Sequence, residues 1–352
     1  MAQVQNAGRR QCDPGKEITR RVNRHDAVIF TLLILVSAAN SLRPPTAFSQ
    51  STSDKRASAA IIYEAIAATN APLWLMEDAR LFEKYRLNGK VIHARGAVPV
   101  QALVSNSVEF GAFGGPSAVA AVLAGSDLVL IAAKGNFAVM SIWVRQDSPI
   151  RTIADLKGKT VGVTRAGSAT HTIARLALRS RGIGDNEVKY LHHPGLAEAF
   201  VSLDRALVDA SFGSPPRPGF RELVDLSSLK IPFLQGAIEV QRSFLHNQRD
   251  TAVNLLRAYV ESIKLAKERP ELIIASIAKR MRVPVELVRP AYQPHANVFE
   301  AIPYVRKDSL QAILDLYPKD QLRNAALEKL VDNSLLQQLE DNGFIKELYS
   351  KN

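Results

Sequence analysis

The segment Asp155–Arg175 constrains the fold most, because it reads as a buried strand, a glycine-serine loop and a helix in direct succession. Thr160 to Val163 supplies the apolar, β-branched run of a short strand. Gly167 allows a turn, and Ser168 opens a helix whose first N–H groups have no partner within the helix. A helix start of this kind attracts anions, so the loop is a candidate site for an anionic or strongly polar group.

A nucleotide site is the first alternative for this loop. Gly162 and Gly167 have the spacing of the two glycines in a phosphate-binding Walker loop. Ser168 and Ala169 stand where that loop requires Lys followed by Ser or Thr. The sequence therefore excludes a Walker-type nucleotide site and leaves the hypothesis of an anionic or polar ligand.

The first 49 residues have the layout of a secretory signal. Basic residues precede an apolar run from Ala27 to Ala39. That run has 13 residues, fewer than the roughly 20 that a helix needs to cross a bilayer. We predict cleavage after Ser49, which makes residues 1–49 a signal peptide and leader and the protein periplasmic.

Charge and cysteine content exclude several classes of function. The formal net charge is +11; the first 49 residues hold seven Lys or Arg and three Asp or Glu, which leaves +7 for the remainder. This moderate excess forms no long basic run, so nucleic acid is not expected as a partner. Cys12 is the single cysteine and precedes the apolar run, so the exported chain would have no thiol. We predict no cofactor and no metal.

Strand and helix patterns alternate through the first two thirds of the chain, and helical patterns alone follow from Asp250. Runs such as Ala59–Tyr63 and Leu128–Ala133 have the length and apolar content of strands, and Pro72 to Tyr85 has the pattern of an amphipathic helix. With 352 residues and 47% apolar content, the chain can bury a large core and divide into two lobes. The predicted fold class is α/β with a helical C-terminal extension.

Several motifs occur in an order that resembles a known family. They are Ala-Pro-Leu-Trp-Leu at 71–75, Gly-Gly-Pro-Ser at 114–117, Asp-Leu-Lys-Gly-Lys-Thr-Val-Gly-Val at 155–163, Ser-Pro-Pro at 214–216 and Gly-Phe-Arg-Glu-Leu at 219–223. Their order and spacing resemble the periplasmic substrate-binding proteins of nitrate/sulfonate/taurine-type ABC transporters, whose fold is shared with a thiamine-pyrimidine synthase family. The resemblance covers nearly all of the chain after the leader.

The resemblance implies a two-lobed type II periplasmic-binding-protein fold, in which hinge closure encloses a ligand between the lobes. It places lobe one at residues 58–134 plus 244–352 and lobe two at residues 135–243. It implies a monomeric, non-enzymatic receptor that passes a small polar or anionic solute to an ABC permease and ATPase complex in the membrane. An enzyme of the thiamine-pyrimidine synthase type and an orphan periplasmic sensor module remain as alternatives.

Four loops are predicted to converge on the ligand in this arrangement. Three of them lead into a helix start, where backbone N–H groups face outward, and the fourth follows a strand that ends near Phe212. The segment after Pro216 is shorter than the resemblance implies, which affects this fourth loop. The predicted ligand-binding residues are Thr69, Asn70, Trp74, Gly114, Gly115, Ser117, Arg165, Gly167, Ser168, Thr170, His171 and Ser214.

Overall fold

A computed structural model of the protein describes residues 56–213, 219–296, 298–318, 320, 322 and 327–350. The predicted signal peptide and leader and the predicted site residue Ser214 lie outside the described residues. Within this part of the chain, no helix is both long enough and apolar enough to cross a membrane.

The strands of the described residues form two five-stranded sheets. Most of these strands are apolar and buried on both faces, which is typical of sheets covered by helices on two sides. The strands are β1 (Ala57–Tyr63), β2 (Leu87–His93), β3 (Phe110–Ala112), β4 (Leu128–Phe137), β5 (Ser141–Arg145), β6 (Thr160–Val163), β7 (Lys189–His192), β8 (Ala210–Gly213), β9 (Phe220–Asp225) and β10 (Pro232–Gln241).

The first sheet has the strand order β2-β1-β3-β10-β4, and the second has the order β7-β6-β8-β5-β9. β1 runs parallel to β2 and β3, whereas β10 is antiparallel to β3 and β4. In the second sheet β6 is parallel to β7 and β8, and β5 is antiparallel to β8 and β9. The chain therefore leaves the first sheet after β4, builds the second sheet, and returns through β10.

Helices connect the parallel strands and make up the helical series that follows β10. Several begin with Pro at the first or second helical position, where its missing N–H costs no hydrogen bond. The helices are α1 (Ala71–Asp78), α2 (Leu81–Lys84), α3 (Val98–Val104), α4 (Gly115–Leu123), α5 (Ala169–Arg179), α6 (Leu196–Asp204), α7 (Arg242–Glu268), α8 (Pro270–Met281), α9 (Val285–Ala296), α10 (Lys307–Leu314), α11 (Leu327–Leu330), α12 (Ser334–Asp341) and α13 (Phe344–Ser350).

Two large hydrophobic clusters hold the described residues together. The first lies between the first sheet and helices α1, α7 and α8, with Trp74 and Tyr259 among its fully buried side chains. The second joins apolar residues of both sheets, and it includes residues of α4 and α5. The helices α4 and α5 contact each other, and both contribute side chains to this second cluster.

The predicted helix over residues 72–85 is two helices in the structure. The chain leaves α1 after Asp78, and Arg80 has the left-handed φ of 56° before α2 begins at Leu81. The amphipathic pattern is also weaker than expected, because the side chains of residues 71–76 are all buried. Residues 71–76 of α1 are covered by α7, α8 and the first sheet, so this part of the helix has no solvent-facing stripe to reveal its limits in the sequence.

Strand β10 is the largest element that the sequence patterns missed. Its run contains Gln235, Gly236 and Glu239, residue types that interrupt an apolar strand pattern. Gly236 lies opposite Gly135 of β4, with a register shift beside it. The strand persists because it is hydrogen-bonded on both sides, to β3 and to β4, a tertiary effect that outweighs local propensity.

Helix α7 also begins earlier than predicted, at Arg242 rather than Asp250. The backbone departs from helical geometry once, at Gln248, which has φ −134° and ψ 35°. The sequence signal at Asp250 therefore marks the second part of a longer, kinked helix.

Candidate functional site

The loop between β1 and α1 carries the first predicted site residues, Thr69 and Asn70. Thr69 is half-buried, whereas Asn70 is 2% exposed. The Asn70 amide donates to the carbonyl oxygen of Ala65 at 2.7 Å and accepts a hydrogen bond from Lys134 Nζ at 2.8 Å. Asn70 precedes α1 without capping it through its side chain. The residue thus fastens this loop to β4, and its oxygen and nitrogen are engaged inside the protein.

Trp74 lies in the middle of α1 and is fully buried in the first hydrophobic cluster. Its ring meets Tyr63 edge-on, with the ring centroids 6.0 Å apart. Tyr63 is the last residue of β1, so the pair fixes α1 against the end of that strand. This position makes Trp74 a support for the loop that carries Thr69.

The start of α4 is occupied by a carboxylate of the protein itself. Oε1 of Glu64 accepts hydrogen bonds from the backbone N–H of Gly114 at 2.7 Å and from Ser117 Oγ at 3.0 Å. Glu64 follows β1 directly. Helix α4 follows β3, which is the parallel neighbour of β1 in the first sheet. The carboxyl ends of parallel strands share one edge of a sheet, which explains why the two segments meet. A negative charge at a helix start is stabilised by the helix dipole.

The glycine pair at the start of α4 has a packing role that the sequence did not reveal. A Cβ atom on Gly115 would lie 2.1 Å from the carbonyl oxygen of Leu234 in β10. A Cβ atom on Gly114 would meet only Glu64 Oε1 within 3 Å, at 2.9 Å. Gly115 therefore permits the close approach of helix and strand, and Gly114 leaves room for the carboxylate.

A buried lysine and a buried glutamate lie beside this helix start. Lys134 in β4 is 3% exposed and Glu239 in β10 is fully buried. Lys134 Nζ donates to Asn70 and to the carbonyl oxygen of Ala112 at 2.9 Å, while Glu239 Oε2 accepts from the N–H of Phe113 at 3.0 Å. Burial lowers the pKa of Lys134 and raises that of Glu239, and each charge partly offsets the effect on the other.

The start of α5 carries a cluster of hydroxyl groups in the second sheet. Ser168 precedes the helix, and its Oγ accepts from the N–H of His171 at 3.4 Å. The hydroxyls of Thr164 and Thr170 lie within 2.8 and 3.1 Å of Ser168 Oγ, respectively. Gly167 provides the turn, with φ 72°. The strand, loop and helix predicted from the sequence are thus confirmed as β6, this loop and α5.

His171 and Arg165 frame the start of α5. Nδ1 of His171 accepts from the N–H of Gly167 at 3.0 Å, and the ring lies edge-on to those of Tyr190 and His192. Burial first, and then the nearby His192 and Arg175, lower the pKa of His171 to about 4. His171 is therefore neutral at pH 7 and acts as an acceptor within the loop. Arg165 is exposed beside it.

The structure brings most of the predicted residues to two helix starts that belong to different sheets. α4 contacts α5, and Ala118 and Ile173, each about one turn into its helix, belong to the same hydrophobic cluster. Trp74 stands apart, inside the core.

Three ionisable residues at this site were missed by sequence reasoning: Glu64, Lys134 and Glu239. Lys134 and Glu239 each interrupt an apolar strand, and a buried charge in such a run is the signal that could have revealed them.

The donors and acceptors of this arrangement suit binding of a polar molecule. Among the described residues, no three His, Cys, Asp or Glu side chains are grouped so that they could hold a metal ion. His193 is buried, with its ring hydrogen-bonded to Val163 and Ser202, while the adjacent His192 is exposed.

Comparison with known proteins agrees with the architecture. The model of the family described as NMT1/THI5 like matches residues 90–273. A curated protein of Escherichia coli (strain K12), named as an aliphatic sulfonates-binding protein, is 27% identical over 226 residues, which are 61% of this chain and 69% of that one.

Solved structures share the fold at lower sequence identity. The periplasmic aliphatic sulphonate binding protein SsuA from Escherichia coli superposes with a TM-score of 0.64 at 23% identity, covering 76% of this chain and 94% of that one. The desulfurization enzyme DszB superposes with a TM-score of 0.59 at 14% identity, covering 81% and 99% of the two chains. The predicted two-lobed type II periplasmic-binding-protein fold is thereby confirmed. The chain belongs to the NMT1/THI5-like family.

Proposed function

We propose that the protein is the extracytoplasmic solute-binding receptor of an ABC importer. The observation that carries this proposal is the pair of helix starts, α4 and α5, which stem from different sheets and lie on helices in mutual contact. Such a pair can hold one small solute from two sides through hydrogen bonds and helix dipoles. The sulfonate-binding function named for the curated relative supports the same role.

The lobes of this receptor would follow the two sheets except at β10, which belongs to the first sheet although its residues fall in the range of lobe two. We propose lobe one at residues 58–134 plus 244–352 and lobe two at 135–243, with the hinge in the strands β4 and β10. Gly135 and Gly236 face each other in these paired strands. Closure of such lobes on a solute would present a surface to a permease and its ATPase, and the receptor would act as a monomer.

The direct test is a thermal-shift screen of the purified protein with nitrate, sulfonates, taurine, pyrimidines and aromatic carboxylates. A solute that binds the native state alone, at 100 times its Kd, stabilises a protein by about 2.7 kcal/mol. For a chain of this size we expect a rise in Tm of about 5 °C with one class of solute. Absence of any shift across the five classes would contradict the receptor function.

A variant of Ser168 tests whether the start of α5 takes part in binding. Aspartate is as good a helix cap as serine, so Ser168→Asp should keep the fold while placing a negative charge at the helix start. We expect this variant to lose binding of an anionic solute by at least tenfold. Ser168→Asn, a neutral cap, is the matched control and should bind within about threefold of the unaltered protein. Equal affinities of the unaltered protein and both variants would mean that this loop does not contact the solute.

Export is the next part of the proposal, supported by the signal layout of residues 1–49 and by the periplasmic relative. When the full chain is expressed in a Gram-negative host, the periplasmic fraction should contain a protein that begins at Gln50. Mass spectrometry of the intact protein measures this cleavage site. Recovery of the uncleaved chain from the cytoplasm would contradict it.

The alternative of an enzyme has a specific observation in its favour, namely the likeness to the fold of DszB. A receptor releases its solute unchanged, whereas an enzyme accumulates product. Incubation of the protein with any solute found in the screen, followed by mass spectrometry of the solute, separates the two. We expect complete recovery of the unmodified compound.

A further inference from the structure

Two carboxyl groups are bound to consecutive backbone amides just before α4. Oε2 of Glu239 accepts from the N–H of Phe113 at 3.0 Å, and Oε1 of Glu64 accepts from the N–H of Gly114 at 2.7 Å. Consecutive residues are only about 3.8 Å apart along the backbone, so the two carboxyl groups are near neighbours. Neighbouring carboxyl groups oppose each other's ionisation. This arrangement favours a state in which one of the two is protonated.

Glu239 is the carboxyl group whose charge is harder to keep. It is fully buried, and its Oε1 has no hydrogen-bond partner among the described residues. A buried carboxylate is costly unless it is paired and fully hydrogen-bonded. Burial raises the pKa of Glu239 to about 8, Lys134 acts in the opposite direction, and Glu64 adds to the rise. The Glu239 carboxyl group is therefore protonated at pH 7.

Lys134 supplies the one ammonium group beside these carboxyl groups. It is 3% exposed, and its Nζ donates to Asn70 and to the carbonyl oxygen of Ala112. The side chain crosses β10 at Gly236, where a Cβ atom would lie 2.3 Å from Lys134 Cε. Burial lowers the pKa of Lys134 to about 8, although both carboxylates act to raise it. Both buried groups thus change their protonation in the same range of pH.

Other ionisable groups near the cluster leave this balance unchanged. Helix α4 contains none. Tyr259 of α7 donates to the carbonyl oxygen of Ala133 at 3.2 Å, and burial raises its pKa, so it stays neutral. The carboxylates of α1 pair with Arg280, and Asp308 of α10 pairs with Arg306. Among the described residues, Glu64 is the one further group that acts on the charges of the buried lysine and glutamate.

The net charge of the cluster depends on a single proton. With Lys134 protonated and Glu239 neutral, the charge of Glu64 is balanced and the cluster has a net charge of zero. Loss of one proton from either buried group leaves a net charge of −1 beside the start of α4. An anion bound at the neighbouring helix starts would be repelled by this negative cluster. Binding of the anion and binding of the proton therefore favour each other, and the coupling is reciprocal.

We propose that Glu64, Lys134 and Glu239 form a proton-binding site, and that the receptor takes up a proton there when it binds an anionic solute. The proton comes from solvent and is held by the carboxyl group of Glu239 or the amine of Lys134. The affinity for the anion then falls as pH rises, by at most about tenfold per pH unit, because one proton is coupled to binding. The inference rests on the proposed receptor function and adds a second ligand to its site.

Isothermal titration of the unaltered protein measures this proton directly. The probes are nitrate, methanesulfonate and benzoate, which keep the same charge from pH 6.5 to pH 9. Each is titrated in two buffers of different ionisation enthalpy, and the difference in the heat of binding gives the number of protons taken up. For the anion that binds, we expect about half a proton at pH 8 and close to none at pH 6.5. Its affinity should be about three- to tenfold lower at pH 9 than at pH 6.5.

The double variant Lys134→Met, Glu239→Gln identifies the groups that hold the proton. It removes both buried groups that titrate, and the glutamine carbonyl oxygen can still accept from the N–H of Phe113. We expect no proton uptake at pH 8 and less than about twofold change in affinity between pH 6.5 and pH 9. Glu109→Gln is the matched control, because Glu109 also accepts from a backbone N–H, that of Ala60, but lies before β3. It should keep the uptake of the unaltered protein.

Three outcomes would overturn the inference. They are binding of an anion at pH 8 with no proton uptake or with proton release, uptake that survives in the double variant, and no binding of any of the three anions at pH 6.5. The titrations of the unaltered protein decide the first and the third without the variant. The third outcome leaves the receptor function to the thermal-shift screen, where a hit from an uncharged solute supports the receptor and contradicts the coupling to an anion.

Discussion

Replacement of Lys134 by methionine is expected to destabilise the protein by about 3–5 kcal/mol, the usual effect of leaving a buried charge without its counter-charge. Methionine has a similar length, so the loss reflects the missing charge and hydrogen bonds more than a cavity. The substitution leaves Glu239 buried without a cation and Asn70 Oδ1 without its donor. Chemical denaturation at pH 7 measures the change in the free energy of unfolding.

The same variant should show a characteristic dependence on pH. Burial raises the pKa of Glu239 in the folded protein, and removal of Lys134 raises it further because the lysine charge lowers it. In the unfolded chain the group titrates near pH 4.3. Above that pH the folded state of the variant holds more protons than the unfolded state, so its stability should fall as pH rises, and the fall should continue above pH 8, where the Glu239 carboxyl of the unaltered protein has lost its proton.

The double variant Lys134→Met, Glu239→Gln is the control for this interpretation. Removing both charges leaves no uncompensated ion in the core, so much of the lost stability should return, together with a flatter dependence on pH. Two results would contradict this interpretation: Lys134→Met alone as stable as the unaltered protein, or the double variant less stable than the single one. In either case the two buried charges would not stabilise each other.

Gly115→Ala is expected to cost about 3 kcal/mol, at the upper end of the range for overpacking. The added Cβ would lie 2.1 Å from the carbonyl oxygen of Leu234 and 2.8 Å from the side chain of Ile313. The Leu234 carbonyl group belongs to the backbone of β10 in the first sheet, so it cannot move aside by a change of rotamer. Relief of the clash requires α4 to shift away from β10, which should also weaken solute binding at its start.

Gly114→Ala is the matched control, one residue earlier. Its φ of −68° and ψ of 146° are accessible to alanine. Its Cβ would lie 2.9 Å from the end of the Glu64 side chain, which can move, and 3.9 Å from the carbonyl oxygen of Gln235, an ordinary van der Waals distance. We expect a loss of stability below about 1 kcal/mol. Thermal denaturation of the two variants side by side gives the comparison, and equal losses would mean that the close approach of α4 to β10 is not what requires Gly115.

The fold was predictable because its signals are local and repeated. The β-branched run of β6, the turn at Gly167 and the cap at Ser168 follow one another in the sequence, and the structure has the same order. Strand β10 was not predictable in this way, because Gln235 and Glu239 break its apolar pattern. Its place between β3 and β4 supplies hydrogen bonds from both sides, which no local pattern records.

The candidate site was predictable only in part. The sequence indicated the two helix starts, because glycine, proline and serine signals mark them locally. It did not indicate Glu64, which is separated from Gly114 by 50 residues and meets it only because β1 and β3 are parallel neighbours. It also gave Asn70 and Gly115 as ligand contacts, whereas the structure engages Asn70 with Lys134 and places Gly115 against Leu234.

By itself, the sequence determined the α/β class, the position of the two helix starts and the family resemblance, since hydrophobic periodicity and turn chemistry act over a few residues. The tertiary structure alone decided which charges meet. Lys134, Glu239 and Glu64 come from three separate strands or strand ends, and their electrostatic interaction depends on strand order in one sheet. Electrostatic energy depends on distance in space and on burial, and neither quantity can be read from separation along the chain.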